Sequence, residues 1–66
     1  MKSFRVLVVD DDFVSAKVAE LTISQMGHSV IGVAPSAEEG ITMAKLRRPD
    51  VVLMDFMLGA GMNGAQ

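Results

Sequence analysis

The sequence predicts an α/β fold in which a doubly wound parallel sheet is covered by helices on both faces. Three short runs are apolar and rich in β-branched residues, which is typical of strands buried on both faces. The two longer segments between these runs carry apolar residues at helical spacing. Strands that alternate with amphipathic helices build parallel sheets, so the order β-α-β-α-β predicts one. We expect residues 1–66 to form a single unit without a repeat or an internal linker.

The first half of the chain predicts a strand followed by an unusually apolar helix. The strand covers residues 4–9, and Asp12 is a suitable N-cap for a helix over residues 13–26. Gly27 fits the left-handed position that closes a helix. Apolar residues extend past half the circumference of this helix, which is more than one sheet face covers. The helix is therefore expected to need cover on a second side.

The second half predicts another strand, another helix and a third strand. The strand covers residues 30–34, and Ser36 and Glu39 form a capping box that begins the helix. The helix should end before Pro49, because a proline ring disfavours helical geometry at the preceding residue. The third strand is predicted over residues 51–54.

The predicted topology brings acidic residues together at one end of the sheet. If the second crossover passes over the first strand, right-handed connections give the strand order 2-1-3. The first and third strands are then neighbours, and ligands bind beyond the C-terminal ends of such strands. Asp10, Asp11 and Asp55 are expected to converge there.

Three carboxylates in one place repel each other unless a cation lies among them. Mg²⁺ suits such a cluster, because it binds one or two carboxylates and takes substrate phosphate among its other ligands. A carboxylate beside the metal can also attack phosphorus. The alternative is purely structural: Asp12 caps the helix, Asp10 is exposed, and Asp55 simply ends a strand.

Composition excludes several classes of function. The chain has a formal net charge of -2, and this mild acidity argues against direct binding of nucleic acid. The basic cluster near the end of the second helix is expected to complement that helix's C-terminus: Lys45, Arg47, Arg48. There is no cysteine, so neither a disulfide nor a thiolate metal site is possible. No apolar run spans a membrane and no signal peptide is present, so the expected location is cytoplasmic.

Two features offer rival functions. Residues 59–64 form a G-x-G-x-x-G pattern, but they follow the third strand instead of the first, and no acidic residue follows at the distance a dinucleotide site requires. We interpret them as a loop whose glycines let the backbone approach the metal site. His28 is a candidate phosphotransfer histidine, but it lies at the end of the sheet opposite the acids. It is expected to be an exposed loop residue.

The motifs together resemble the receiver domains of two-component response regulators, through essentially the whole chain and in the family's order. They are VLVVDDD at 6–12, GHSV at 27–30, SAEEG at 36–40, RPDVVLMD at 48–55 and GMNG at 61–64. The resemblance implies a flavodoxin-like fold and a signalling domain that is not a turnover enzyme. It implies that Asp55 is the phosphoacceptor, taking its phosphoryl group from a sensor histidine kinase or a phosphotransfer protein.

The resemblance also implies the metal ligands and exposes two departures. Asp11, assisted by Asp10, and the backbone carbonyl of Met57 would join Asp55 in holding Mg²⁺ or Mn²⁺. The loop after Asp55 has Gly59 where the family usually has proline, and it is about one residue longer. A receiver is also about twice this long, and its second half brings a Ser or Thr, a Lys and an aromatic switch residue. The chain is therefore expected to be a fragment of a receiver or a truncated relative.

The third strand suggests association. Residues 51–54 would form a sheet edge without the charges or prolines that protect edges from pairing. We expect the chain to associate through this edge or through the first helix, as a symmetric homodimer with antiparallel third strands or with a complementary half-receiver. The rival functions are accordingly an interaction or dimerisation module without phosphotransfer, and an inert fragment.

Overall fold

The elements follow the predicted order β-α-β-α-β. The computed structural model describes residues 2–55, without the side chain of Asp55. Its elements are β1 (Arg5–Asp10), α1 (Phe13–Gln25), β2 (Ser29–Ala34), α2 (Ala37–Arg47) and β3 (Val51–Asp55).

The three strands form a parallel sheet in the order β2-β1-β3, which confirms the predicted topology. β1 is the central strand, and its residues from Val6 onwards are buried. β1 and β3 are paired in continuous register from Val6 with Val51 to Asp10 with Asp55. The apolar run of β1 is therefore explained by its position, because a central strand is covered on both faces.

Alternate residues of β1 build two small cores. Val6 and Val8 pack with Ala16 on the face that α1 covers. Leu7 and Val9 pack on the opposite face, which α2 covers. This alternation follows from the two-residue period of a strand, and it fixes β1 between the two helices.

The boundaries of α1 and the strands differ from the prediction by one residue. α1 ends at Gln25, and Met26 is its C-cap. Gly27 follows with φ of 92°, the left-handed geometry predicted for it. β2 begins at Ser29, one residue earlier than predicted, because the Ser29 N–H donates to the carbonyl of Phe4 at 2.9 Å.

α2 has half of the predicted capping box at its start, the hydrogen bond to the Ser36 side chain, and an unexpected arrangement at its end. Ser36 Oγ accepts a hydrogen bond from the Glu39 N–H at 3.2 Å. At the other end, the Arg5 guanidinium on β1 donates to the carbonyls of Arg47 and Arg48, each at 2.6 Å. Arg48 itself takes the left-handed conformation, with φ of 50°. The carbonyls at the end of α2 are thus bonded by Arg5, which the sequence did not indicate.

One basic side chain near the end of α2, that of Arg47, serves β2. Arg47 Nη1 donates to the carbonyl of Ile31 at 2.7 Å. Ile31 has no register partner, because Val30 pairs with Val6 and Gly32 pairs with Leu7. This is a β-bulge, which leaves one residue of a strand unpaired. The expectation that Arg47 chiefly complements its own helix end was incomplete, since its guanidinium crosses to β2.

His28 is half-buried, so the prediction of an exposed loop histidine is wrong. Its Nδ1 accepts a hydrogen bond from the Phe4 N–H at 3.1 Å. The two rings lie 5.2 Å apart between centroids. The N-terminus of β1 is therefore attached to the turn that follows α1.

β3 is the least covered element. Both helices make their main contacts with β1 and β2. Consequently residues 51–54 are between 41% and 53% exposed, although all four are apolar. β3 is a regular edge strand of the described sheet with both of its faces open.

Candidate functional site

The acidic residues lie at the carboxyl end of the sheet. Asp10 is the last residue of β1 and is the direct register partner of Asp55, the last residue of β3. Asp11 and Asp12 follow in the connection to α1. The backbones of Asp10 and Asp55 are thus side by side, although 45 positions separate them in the sequence (55 − 10).

Asp10 is buried, with only 4% of its surface exposed. Its Oδ1 accepts a hydrogen bond from the Asp12 N–H at 2.9 Å. Its Oδ2 is also buried and has no hydrogen-bond partner among residues 2–55. The alternative in which Asp10 is an exposed residue is therefore wrong. A buried oxygen without a partner costs about 1–3 kcal/mol, and more when it is charged, so a cation near Oδ2 would stabilise the folded chain.

Asp12 serves the helix, as predicted. Its Oδ2 accepts the Ser15 hydroxyl at 2.6 Å and the Ser15 N–H at 3.2 Å. These hydrogen bonds, with the hydroxyl contributing most, lower the pKa of Asp12 below its ordinary value of 3.8. Asp11 is exposed to solvent. Asp12 is thus engaged in capping α1, whereas Asp10 and Asp11 are the acidic residues of this connection that do not cap the helix.

The described residues supply only part of the predicted metal site. Within residues 2–55, no group of three acidic or histidine side chains is arranged to hold a metal ion. The Asp55 carboxylate and the Met57 carbonyl lie outside the described residues, so their roles stay predictions. The chemistry of the described donors nevertheless fits Mg²⁺, because Asp10 contributes a carboxylate oxygen that has no partner among residues 2–55.

A recess of about 350 Å³ opens beside these carboxylates, and the sequence reasoning missed it. Its walls are largely apolar and are formed by Asp10, Asp11, Phe13, Ala16, Val33, Pro35. Phe13 is the residue from which the recess could have been predicted. It is a large apolar residue that directly follows an acidic triplet, and it is 81% exposed at the start of α1. The recess provides apolar contact area directly next to the acidic end of the sheet.

The charges of the chain separate along the strands. The acidic residues at the carboxyl end are Asp10, Asp11, Asp12, Glu38, Glu39. The basic residues at the amino end, where β1 starts and α2 finishes, are Lys2, Arg5, Lys45, Arg47, Arg48. The described chain therefore has a negative end that carries the candidate site and an opposite end that is mainly positive. In residues 2–55, neither helix is long and apolar enough to cross a membrane.

This fold and site together define a class of protein. A parallel sheet in the order β2-β1-β3, with acidic residues at the adjoining ends of β1 and β3, is the first half of a flavodoxin-like receiver domain. Residues 6–66 match the response regulator receiver domain family, and the chain belongs to this family.

Individual relatives agree with this assignment. The chain is 41% identical over 63 residues to the response regulator GacA of Pseudomonas viridiflava. This alignment covers 94% of this chain and 29% of GacA. It is 36% identical over 62 residues to the protein PilH of Pseudomonas aeruginosa, covering 94% of this chain and 50% of PilH. The crystal structure of the response regulator PhyR from Brucella abortus superimposes with a TM-score of 0.80 at 26% identity, covering 94% of this chain and 26% of PhyR. The chain thus spans half or less of the length of these relatives.

Proposed function

We propose that the chain is a receiver module that accepts a phosphoryl group on Asp55 in two-component signal transduction. The donor is the phosphohistidine of a sensor histidine kinase or a phosphotransfer protein, and the location is the cytoplasm expected from the sequence. The observation that supports this most is the pairing of Asp55 with Asp10, whose buried Oδ2 lacks a partner among residues 2–55. The phosphoryl group would enter a position where a cation is already favoured.

In the proposed step, a carboxylate oxygen of Asp55 attacks the phosphorus of the donor. A P–O bond forms while the P–N bond breaks, and the electron pair of the broken bond stays on the imidazole nitrogen, which takes up a proton. The product is an acyl phosphate on Asp55. The chain is then a phosphoprotein that has changed its charge, and it acts as a signalling module instead of a turnover enzyme.

Asp10 and Asp11, with Asp55 and the backbone carbonyl of Met57, would hold Mg²⁺ or Mn²⁺ at this position. When bound, the ion offsets the negative charge of the phosphoryl oxygens. Asp10 contributes from a rigid central strand, and its Oδ1 stays fixed by the Asp12 N–H. Asp11 is exposed and can adjust to the ion.

Labelling with acetyl phosphate in the presence of Mg²⁺ tests the proposal, with intact mass as the measurement. We expect slow labelling, because none of the lysines among residues 2–55 lies at the carboxyl end of the sheet. A lysine there would stabilise the negative charge on the phosphoryl group during its transfer. Asp55→Ala should abolish labelling. Asp50→Ala is the matched control, since Asp50 lies at the opposite end of the sheet beside Arg5. Labelling that survives Asp55→Ala contradicts the assignment of Asp55.

A second candidate function is an interaction module without phosphotransfer. It is favoured by β3, whose edge is regular and whose faces are open. A strand of a second copy, or of a complementary half-receiver, would add backbone hydrogen bonds along this edge. Val52→Lys should weaken such pairing without touching the acidic residues. Failure of the unchanged chain to accept any phosphoryl group, together with loss of association in Val52→Lys, would favour this candidate over the first.

A further inference from the structure

α1 carries a second apolar surface that faces away from the sheet. Val14, Val18 and Leu21 are 66%, 58% and 55% exposed, respectively. We refer to these three residues as the outer stripe. Their exposure is unusual for a helix on a sheet, because the apolar residues of such a helix normally face the core.

The outer stripe lies almost opposite the residues that hold α1 on the sheet. The inner residues are Ala16, Ala19 and Ile23, which pack with β1. At about 100° per residue, the centres of the two stripes are roughly 160° apart around the helix. The sheet under α1 therefore cannot cover the outer stripe.

The spacing of the outer stripe suits another helix. Val14, Val18 and Leu21 are separated by four and then three residues, and Gln25 continues the pattern at four. This average of about 3.5 residues is the repeat of helices that pack as knobs into holes. Lys17, which flanks the stripe, is paired with Glu20 of its own helix at 3.6 Å, so it does not need a partner elsewhere.

We propose that the outer stripe is the interface of a homodimer in which α1 of one copy packs antiparallel against α1 of a second copy. A two-fold axis between Val18 and Leu21 makes the stripe complementary to itself, as an isologous interface requires. Val18 of each copy then packs on Leu21 of the other, and Val14 faces Gln25.

Charge complementarity selects the antiparallel direction. α1 runs from the acidic end of the sheet to the basic end. Antiparallel packing therefore places Asp11 and Asp12 of one copy beside the end of the other copy's α1, where Lys2 lies over the Phe4 ring at 5.7 Å. Parallel packing would instead bring two acidic ends together. Like charges at an interface oppose association, and opposite charges favour it.

The outer stripe shares no residue with the phosphoacceptor site or with the β3 edge. Strand pairing at β3 leaves the outer stripe exposed, because α1 lies over β1 and β2. The dimer consequently goes beyond the proposed function and does not depend on it. Its test measures association of the chain without any phosphodonor, so its failure would leave the proposed phosphoryl transfer standing.

Sedimentation equilibrium of the full chain and of its Val52→Lys variant tests the interface. In the variant, the lysine opposes pairing at the β3 edge, so its association reports on the outer stripe. We expect a monomer–dimer equilibrium in Val52→Lys, weakened at least about tenfold by adding Val18→Glu, and association of the full chain that is at least as strong. Ile41→Glu is the matched control, since Ile41 is 52% exposed on α2, and it should change the dissociation constant by less than about twofold. A concentration-independent monomer, association lost in Val52→Lys alone, or association unaffected by Val18→Glu overturns the proposal.

Cysteine cross-linking tests the direction without relying on a disruptive variant. The chain contains no cysteine, so every disulfide comes from introduced residues. A mixture of Val14→Cys and Gln25→Cys chains should form a mixed disulfide. Val14→Cys alone should not, because antiparallel packing separates its two copies by roughly 16 Å along the axis. Ready cross-linking of Val14→Cys with itself would show parallel packing and overturn the proposal.

Discussion

Asp10 and Asp55 are direct register partners at the ends of adjacent parallel strands, and the Asp10 carboxylate is buried. The buried charge of Asp10 therefore lies beside the backbone of the C-terminal residue of β3. The main-chain ladder holds this relationship, so it does not depend on side-chain rotamers. It brings two acidic residues to one end of the sheet, where a cation between them would reduce their mutual repulsion.

The first prediction follows from Asp10 Oδ2, which has no hydrogen-bond partner within the described part of the chain. In chelator, Asp10→Asn should raise the free energy of unfolding by roughly 1 kcal/mol, because it removes a buried charge that lacks compensation. Added Mg²⁺ should stabilise the unchanged chain and have less effect on the variant. Urea denaturation with and without Mg²⁺ measures both effects. Asp11→Asn is the comparison, because Asp11 is exposed and its change should leave stability in chelator the same.

The second prediction concerns binding itself. Asp11→Asn and Asp55→Asn should each weaken Mg²⁺ or Mn²⁺ binding, since each removes a charged oxygen donor from the proposed site. Calorimetric titration is the measurement. Glu38→Gln provides the control, because it also removes one negative charge but does so in the exposed first turn of α2. Binding that neither aspartate variant alters would contradict the assignment.

The third prediction concerns the Arg5 bonds to the end of α2. Arg5→Leu should lower the free energy of unfolding by about 1 kcal/mol, because the carbonyls of Arg47 and Arg48 lose a charged donor. Arg5→Lys should restore only part of this, since an ammonium lacks the forked geometry of a guanidinium. Lys45→Ala should change stability by less than about 0.5 kcal/mol. Equal effects of the leucine and alanine variants would refute a specific role for Arg5.

The fourth prediction concerns the closest approach of α2 to the sheet. A Cβ added at Gly40 would lie 2.7 Å from Cγ2 of Val9. Gly40→Ala should therefore destabilise the chain by about 1–3 kcal/mol, despite the better helix propensity of alanine. Val9→Ala opens space at this contact, so the double variant should be more stable than the sum of the single effects predicts. A double-mutant cycle from urea denaturation measures this coupling, and strictly additive effects would contradict the clash.

The fifth prediction is a pH dependence from the N-cap of α1. Hydrogen bonds from Ser15 hold the pKa of Asp12 below its ordinary value of 3.8. A depressed folded-state pKa contributes stability that is present above the ordinary value and is lost as pH falls through the folded-state value. As the pH is lowered, the free energy of unfolding should consequently fall more steeply in the unchanged chain than in Ser15→Ala, a variant that lacks the hydroxyl. Identical acid profiles would contradict this linkage.

The strand order was predictable because it follows from general rules. Three apolar runs separated by two helical segments leave few topologies once crossovers are right-handed. The proximity of Asp10 and Asp55 follows in turn, since each ends its strand. The burial of Asp10 was not predictable from the sequence alone, because it depends on how closely the turn after β1 folds back to donate the Asp12 N–H.

Side-chain contacts between residues that are far apart in the chain could not be predicted from the sequence. Arg5 and Arg47 are 42 positions apart, and nothing in the local pattern shows that one bonds the other's carbonyl. His28 likewise follows the turn after α1, and its local sequence does not show that its Nδ1 accepts a hydrogen bond from the Phe4 N–H. The bulge at Ile31 had one available signal, because a glycine within a strand often marks a bulge, and Gly32 follows it.

The bulge in β2 has a consequence for how the chain can assemble. The two edges of the described sheet are unequal: β2 is irregular at Ile31 and carries the Arg47 guanidinium there, whereas β3 is regular. Bulges and charges discourage a further strand from joining an edge. Growth by strand addition is therefore one-sided, and two copies joined at β3 would present only β2 edges to a third. Strand addition by itself therefore terminates at a closed pair and does not extend the sheet into a fibril.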